Sequence, residues 1–395
     1  MRDLGTVVRG IRTPIIKEND DLERIVVESI LNASKNNNFE FNDKDVIAIT
    51  EAVVGISEGN YVTVDTVAED IKNKFNNPEE LGIVFPILSR NRFSIILKAI
   101  ARSTKKLYVQ LSFPSDEVGN GILDEEKLYN SKFDQGSVIT EEEYKKGFGD
   151  WLHPFTGINM IDFYRELIEE EGCKAEFILS NNARDLLKYT KNVLACDIHT
   201  RFQTKRLLDN KDATVYGLHE IMTKSINGSG YNEKYGMLGS NKSTEERLKL
   251  FPRTGQKLVD NIQKRLKEAT GKTIEVTVYG DGAFKDPVGH IWELADPVVS
   301  PAYTKGLEGT PNEIKLKYVS DNKYADLKGT ELKEAIKNEI RAKNKDLKGK
   351  MITQGTTPRR LTDLIGSLCD LTSGSGDKGT PVVFIQGYFD NLADE

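Results

Sequence analysis

The chain has 395 residues, of which 38% are hydrophobic and 29% charged, with a formal net charge of −6. This length supports two or three units with real cores, and the composition is that of a globular chain rather than a disordered one. The mild acidity argues against a broad nucleic-acid-binding face, and no apolar run approaches a membrane span. Three scattered cysteines, Cys173, Cys196 and Cys369, lack CxxC spacing and suggest neither a disulfide framework nor a zinc knuckle. The N-terminal MRDLGTVVRG has no signal-peptide core, so a reducing cytoplasm is the expected setting.

Residues 6–16 read as a strand. Asp20, Asp21, Leu22 and Glu23 then open a helix whose apolar stripe is Leu22, Ile25, Val26 and Ile30. "DVIAITEAVVGI", residues 45–56, reads as one nearly continuous apolar strand interrupted by Glu51. "GIVFPILS" (82–89) and "LYVQLSF" (107–113) are further strands, separated by a helix at 92–104. "AEFILS" and "VLACDI" flank another helical stretch at 181–190. A helix at 256–269 precedes a strand at 273–279, "NEIKLKYVS" reads as a β-run, and a Lys-rich helical stretch follows to about residue 344, on the pattern of a solvated face. A last helix and a last strand complete an α+β (mixed α/β) chain with mixed sheets and no internal repeat. Three parts are expected: 1–119, an acidic, aromatic, turn-rich insertion at 120–172 with the character of a lid, and 173–395.

Chemistry is sought where strands end. "TVYGDGAFKDPVGH" closes a β-run by presenting Asp281 and Asp286 on a turn with Gly280, Gly282 and Pro287. A plain turn needs only the glycines and one Asp; a metal or phosphate site needs carboxylates at a strand's end with little bulk beside them. "YGLHEIMTKSINGSGYNEKYGMLGSN" sets His219, Glu220 and Lys224 before glycine-rich turns whose backbone could face an anion, with a structural Ω-loop as the alternative. "LTSGSGDKGTPVVFIQG" adds Lys378 in a third glycine run. "GTTPRRLTDLIG" places Arg359 and Arg360 at a helix start, either an anion site or an ordinary helix end with exposed arginines. "SRNRF" offers Arg90 and Arg92, and "QLSFPSDEVGNG" offers Asp116 and Glu117. Acids after strands and bases at helix starts suit metal-bridged phosphates. Walker A, dinucleotide and nucleophile-elbow motifs are missing, and the four histidines lack zinc-ligand spacing.

The succession of "DDLERIVVESIL", "FNDKDVIAITEAVVGISEG", "TGKTIEVTVYGDGAFKDPVG" and "GSGDKGTPVVFIQG" resembles the coenzyme F-420:γ-glutamyl ligase family, over 6–59, 213–301 and 361–387. The resemblance implies that family's mixed-sheet fold, a homodimer, Mn²⁺ or Mg²⁺, and GTP-driven addition of L-glutamate to a carboxylate acceptor through an acyl phosphate. It assigns metal binding to Asp281 and Glu220, with Asp286 able to join them. Lys285 falls where the family has an arginine and is the candidate catalytic cation; Glu58 keeps the family's Glu-Gly. The nucleotide-facing candidates are Glu58, Arg90, Arg92, Arg359, Ser375 and Lys378. Departures are Gly55-Ile56 for a Ser-Lys pair, Gly282 for a threonine and Ser375 for a glutamate. Two other readings keep the fold: a non-catalytic nucleotide- or phosphometabolite-binding protein, and a metal-dependent phosphohydrolase. The 120–172 insertion is expected to reshape the acceptor pocket rather than the metal site.

Overall fold

A computed structural model describes residues 4–154, 156–209, 212–282, 296–357, 359–373 and 376–394. Its strands are β1 (Val7–Ile11), β2 (Val46–Thr50), β3 (Tyr61–Thr63), β4 (Glu80–Val84), β5 (Lys106–Leu111), β6 (Ile139–Thr140) and β7 (Lys174–Leu179). They continue as β8 (Asn192–Ala195), β9 (Thr214–Gly217), β10 (Asn241–Thr244), β11 (Arg247–Lys249), β12 (Glu275–Tyr279), β13 (Ala302–Tyr303) and β14 (Val382–Gln386). They form a five-stranded sheet in the order β1-β14-β2-β12-β13, a six-stranded sheet β6-β7-β5-β4-β8-β9 and a three-stranded sheet β10-β11-β3. The expected mixed-sheet α+β class is therefore what the chain adopts.

The five-stranded sheet is covered on both faces, which is why β2 reads as an unbroken apolar run. Ile47 and Ile49 point into one core with Val26 and Ile30 of the helix Leu22–Asn37 and Leu258 and Ile262 of the helix Gly255–Thr270. Val46 and Ala48 point the other way, onto Ile365 and Cys369 of the helix Leu361–Thr372. The first helix starts where the sequence says it should: the Asp21 carboxylate accepts from the Arg24 N–H at 3.0 Å. β2 pairs parallel with β12 and antiparallel with β14, with Thr50 beside Tyr279 in the parallel register. Those two strands therefore end together.

In the six-stranded sheet β4, β5, β7, β8 and β9 are all parallel and only the edge strand β6 is reversed. The chain runs outward from β4 through β5 to β7, then returns to lay β8 and β9 on the other side. This doubly wound order has its switch point between β4 and β8, where loops at the carboxyl ends diverge and leave a crevice. Residues 120–172, read from sequence as an insertion, supply β6 and the helices Glu125–Tyr129, Glu141–Phe148 and Met160–Glu170 of this unit. Tyr144, Phe148, Ile161, Tyr164 and Ile168 are buried in its main core.

Two secondary-structure expectations are corrected. The apolar run at 45–56 is a strand only to Thr50; Glu51–Ser57 is a short helix, a distinction that an apolar run without periodicity does not carry. "NEIKLKYVS" is not a strand but leads into the helix Leu316–Lys323. Its Ile314 and Val319 find their partners in Ile336 and Ile340 of the helix Gly329–Ala342, so packing overrides alternation.

Phe384 of β14 is fully buried and stacks on Phe39 at 5.2 Å between ring centroids. Phe384→Ala should cost about 3–5 kcal/mol, read as a lower urea midpoint at unchanged slope.

Candidate functional site

The common end of β2 and β12 releases Glu51 on one strand and Gly280-Asp281-Gly282 on the other. Backbone crowding, more than turn geometry, explains these glycines. A Cβ at Gly280 would stand 2.1 Å from Asp296 Oδ2, and one at Gly282 would stand 2.9 Å from the Ser367 Cα. The room they leave is taken by Asp296 and by the helix Leu361–Thr372 rather than kept open for a phosphate. Asp296 Oδ2 accepts from the Asp281 N–H at 2.7 Å, and Asp370 Oδ2 accepts from the Gly282 N–H at 2.9 Å. The turn is thus latched to two further carboxylates.

Onto this turn comes Arg92, from the loop between β4 and the helix Phe93–Arg102. Its guanidinium donates to Asp296 Oδ1 at 2.7 Å and to Asp281 Oδ1 at 2.9 Å, with Asp281 Oδ2 at 2.8 Å. Burial opposes the Arg92 charge, but Asp296, Asp281 and Glu51 outweigh it and hold the guanidinium charged. Beside it Glu51, 4% exposed, pairs with Lys249 of β11 at 3.1 Å. Burial pushes the Glu51 carboxyl above its ordinary range while Lys249 pulls it back. Glu51, Arg92, Lys249, Asp281 and Asp370 line a cleft of about 440 Å³, whose walls also include Tyr61, Asn91 and Lys242.

All three sheets therefore contribute to one cleft: β2 and β12 from the first, the β4 loop from the second, Lys249 from the third. Three carboxylates line the cleft (Glu51, Asp281 and Asp370) beside two inner cations, Arg92 and Lys249, while Asp296 is buried behind Arg92. Lys242 at the rim is exposed and paired with Glu245 at 2.6 Å. In donor chemistry this set suits a hard divalent cation, which prefers carboxylate oxygen. Among the described residues no three His, Cys, Asp or Glu side chains are gathered into a ready-made metal cluster, and Arg92 sits between Asp281 and Asp296.

The sequence-derived candidates divide accordingly. Asp281 and Arg92 are brought into contact. Arg359 lies close by, its Nη2 3.4 Å from Ser367 Oγ on the helix that carries Asp370. Lys378 is exposed in the loop entering β14, next to the end of β2, where the Thr50 N–H donates to Pro381 O at 2.9 Å. Glu220 is elsewhere: its carboxylate pairs with Lys205 and accepts from the Gly217 N–H at the end of β9, and it does not line the cleft with Asp281. Glu58 takes the Arg253 and Thr254 N–H groups, at 2.9 and 2.8 Å, just before the helix Gly255–Thr270. Arg90 is exposed and near His153, whose basicity is lowered first by burial and then by Arg90. Lys285, Asp286, His290 and Ser375 lie outside the described residues.

Four participants escaped the sequence reading: Glu51, Lys249, Asp296 and Asp370. Glu51 did leave a signal, a lone charge inside an otherwise apolar run. The other three sit in unremarkable contexts and become partners only through the tertiary fold.

A family model described as F420-0:Gamma-glutamyl ligase matches residues 10–387. The chain belongs to this family. No curated protein matches it. The match is wider than the three stretches that carry the resemblance and takes in the whole doubly wound unit. As a γ-glutamyl ligase, the protein is an enzyme that forms γ-glutamyl amide bonds on small-molecule substrates. No described helix is long and apolar enough to cross a membrane.

Two outcomes test the geometry of this ligase. Gly280→Ala must displace Asp296 and loosen its bonds to Asp281 and Arg92, a loss of about 2–4 kcal/mol in chemical denaturation. For Glu220, burial is outweighed by Lys205 and the Gly217 N–H, so the carboxyl is held below its ordinary range. A lowered carboxyl stabilises the fold above its unfolded-state pKa, and that contribution disappears as pH falls through the folded value. Glu220→Gln should therefore flatten the acid side of the stability–pH curve, measured by thermal melts at stepped pH.

Proposed function

We propose that this ligase uses GTP and a divalent cation, Mn²⁺ or Mg²⁺, to join L-glutamate to a carboxylate of the F420 precursor. The γ-phosphoryl group passes to a carboxylate oxygen of the acceptor, giving an acyl phosphate and GDP. The glutamate amine then attacks the acyl carbon, phosphate leaves with the C–O bond electrons, and the amine's proton is lost to solvent or a base. The observation that carries this reading is the group of carboxylates at the strand ends, Asp281 and Asp370 on one cleft with Arg92 and Lys249, set in a chain of the γ-glutamyl ligase family.

Asp281 and Asp370 are the carboxylates that would hold the cation. When bound, the cation would neutralise phosphate oxygens and let an anionic nucleotide approach these carboxylates. The chain's own residues do the rest. Arg92 presents a fixed positive charge at the turn, worth most where water is excluded. Lys249, anchored by Glu51, offers a second cation at the cleft wall, and Arg359 and Lys378 remain candidate nucleotide-facing cations. Lys285, Asp286 and Ser375, on the matched glycine-rich segments, belong to the same proposal. A homodimer in the cytoplasm completes it. None of the described residues that line the cleft comes from 120–172.

Incubation with GTP, Mn²⁺, glutamate and the F420 precursor should add one glutamyl residue, detected by mass spectrometry, with GDP formed in equal amount. GTP hydrolysis that proceeds without glutamate would sink the ligase mechanism proposed here. Asp281→Asn should weaken Mn²⁺ binding about ten-fold or more, because a neutral amide replaces a charged donor, while circular dichroism stays that of the parent. Unchanged Mn²⁺ affinity would remove Asp281 from the metal site.

A further inference from the structure

We infer that Tyr164 and Asp116 are positioning residues for Arg92, holding the loop 85–92 so that its guanidinium reaches the ligase carboxylates. This rests on the reading of the cleft given above. Arg92 belongs to the doubly wound unit, whereas Asp281 and Asp296 belong to the five-stranded sheet, so its aim depends on the loop that carries it. That loop is irregular, and its main-chain N–H groups have no ladder or helix to satisfy them.

The loop begins under strain. Phe85 follows β4 with φ at +54°, a left-handed conformation that an aromatic residue holds only when its surroundings impose it. Its N–H donates to Gln110 O at 3.0 Å. Two side chains then catch the next free amides. The Leu88 N–H donates to Asp116 Oδ2 at 2.8 Å, and the Ser89 N–H donates to Tyr164 Oη at 2.8 Å. The Tyr164 hydroxyl in turn donates to Ser89 O at 3.2 Å. Ser89 passes the constraint on, its Oγ accepting from the Arg92 N–H at 3.0 Å. On the far side Asn91 O accepts from the Lys242 N–H at 2.9 Å, which ties the loop to the cleft rim.

Both braces are themselves fixed. Tyr164 is fully buried, its ring 5.8 Å from that of Phe93, the residue after Arg92. Asp116, 7% exposed, also accepts from the Val118 and Asn120 N–H groups at 3.0 and 2.9 Å. Neither residue lines the cleft, so they act through Arg92 rather than on substrate. Tyr164 gives the 120–172 segment a part in the ligase: it aims a charge into the cleft from behind. A guanidinium displaced by about 1 Å forfeits much of its effect, since misplacement of that size costs up to about 100-fold in rate.

The test is a double-mutant cycle of Tyr164→Phe and Arg92→Ala, read in the rate of glutamate ligation at saturating GTP, Mn²⁺ and acceptor. The KM for glutamate and the melting midpoint are recorded alongside. Arg92→Ala should lower kcat about 100-fold. Tyr164→Phe should lower it about ten-fold with the KM for glutamate within about two-fold, and the double variant should be no slower than Arg92→Ala. Asp116→Asn should repeat the pattern of Tyr164→Phe. A general structural role would instead multiply the two losses and lower the midpoint in both backgrounds alike. Tyr164→Phe at the parent rate, or multiplying losses, overturns the positioning role and leaves the ligase reading standing. Arg92→Ala at the parent rate removes Arg92 from the reaction and this inference with it. If the parent does not turn over the F420 precursor, the cycle is read with Mn²⁺ alone by calorimetry. Freed carboxylates should then bind Mn²⁺ several-fold tighter in Arg92→Ala, less so in Tyr164→Phe, and no tighter in the double variant. Additive tightening there overturns the inference.

Discussion

One guanidinium joins the two halves of this enzyme. Arg92 reaches from the doubly wound unit to Asp281 and Asp296 beside the five-stranded sheet, and with the Glu51–Lys249 pair it ties the walls of one cleft together. A buried charge with three carboxylates in its field is tolerable only if its partners stay in place. Asp296 is therefore tied to the Asp281 backbone, the Asp281 turn is tied through Gly282 to Asp370, and the glycines on either side of Asp281 let those ties close. The arrangement stores no spare slack. Asp296, which neutralises Arg92, is also the acceptor for the Asp281 N–H at the strand end, so charge and backbone geometry are set together there.

The division of labour between sheets follows from their topology. Parallel β2 and β12 deliver their loops to one edge, and the six-stranded sheet delivers the loop after β4 from the carboxyl edge near its own switch point. In both cases the scaffold is apolar and covered, while the chemistry hangs from the ends of strands. The doubly wound unit contributes to the cleft through the loop after β4, which carries Arg92.

The sequence made much of this legible, and the failures have physical causes. The helix at Leu22–Asn37 was readable because its cap and its stripe agree, and Asp281 stood out because a carboxylate between two glycines at a strand's end is unusual. The run through Glu51 was misread as all strand because apolar residues covered on both faces show no period. "NEIKLKYVS" alternates like a strand, yet its neighbours in space are helices. Glu220 looked like a partner for Asp281 by resemblance, and only the fold shows that Lys205 holds it. Asp296, Asp370 and Lys249 had no local signature at all; their roles are created by long-range contact. Residues 120–172 looked loose because they are acidic and rich in turns, yet Tyr144, Phe148 and Tyr164 proved to be core.

The pairing of β1 with β14 sets an order of assembly. β14 lies between β1 and β2 in the five-stranded sheet, so that sheet stays open along its middle until residues 382–386 have been made. The six-stranded unit, by contrast, has all its strands by Gly217. During synthesis the doubly wound unit can close early, with Arg92 already on its loop, while β2 waits with an unpaired edge for a strand more than three hundred residues away in the chain. Contacts of that span are slow to form, and an open apolar edge invites mispairing. Catalytic competence is then the last thing this chain acquires as it folds, and a ribosome that stalls before β14 would release a well-formed arm beside an unfinished sheet.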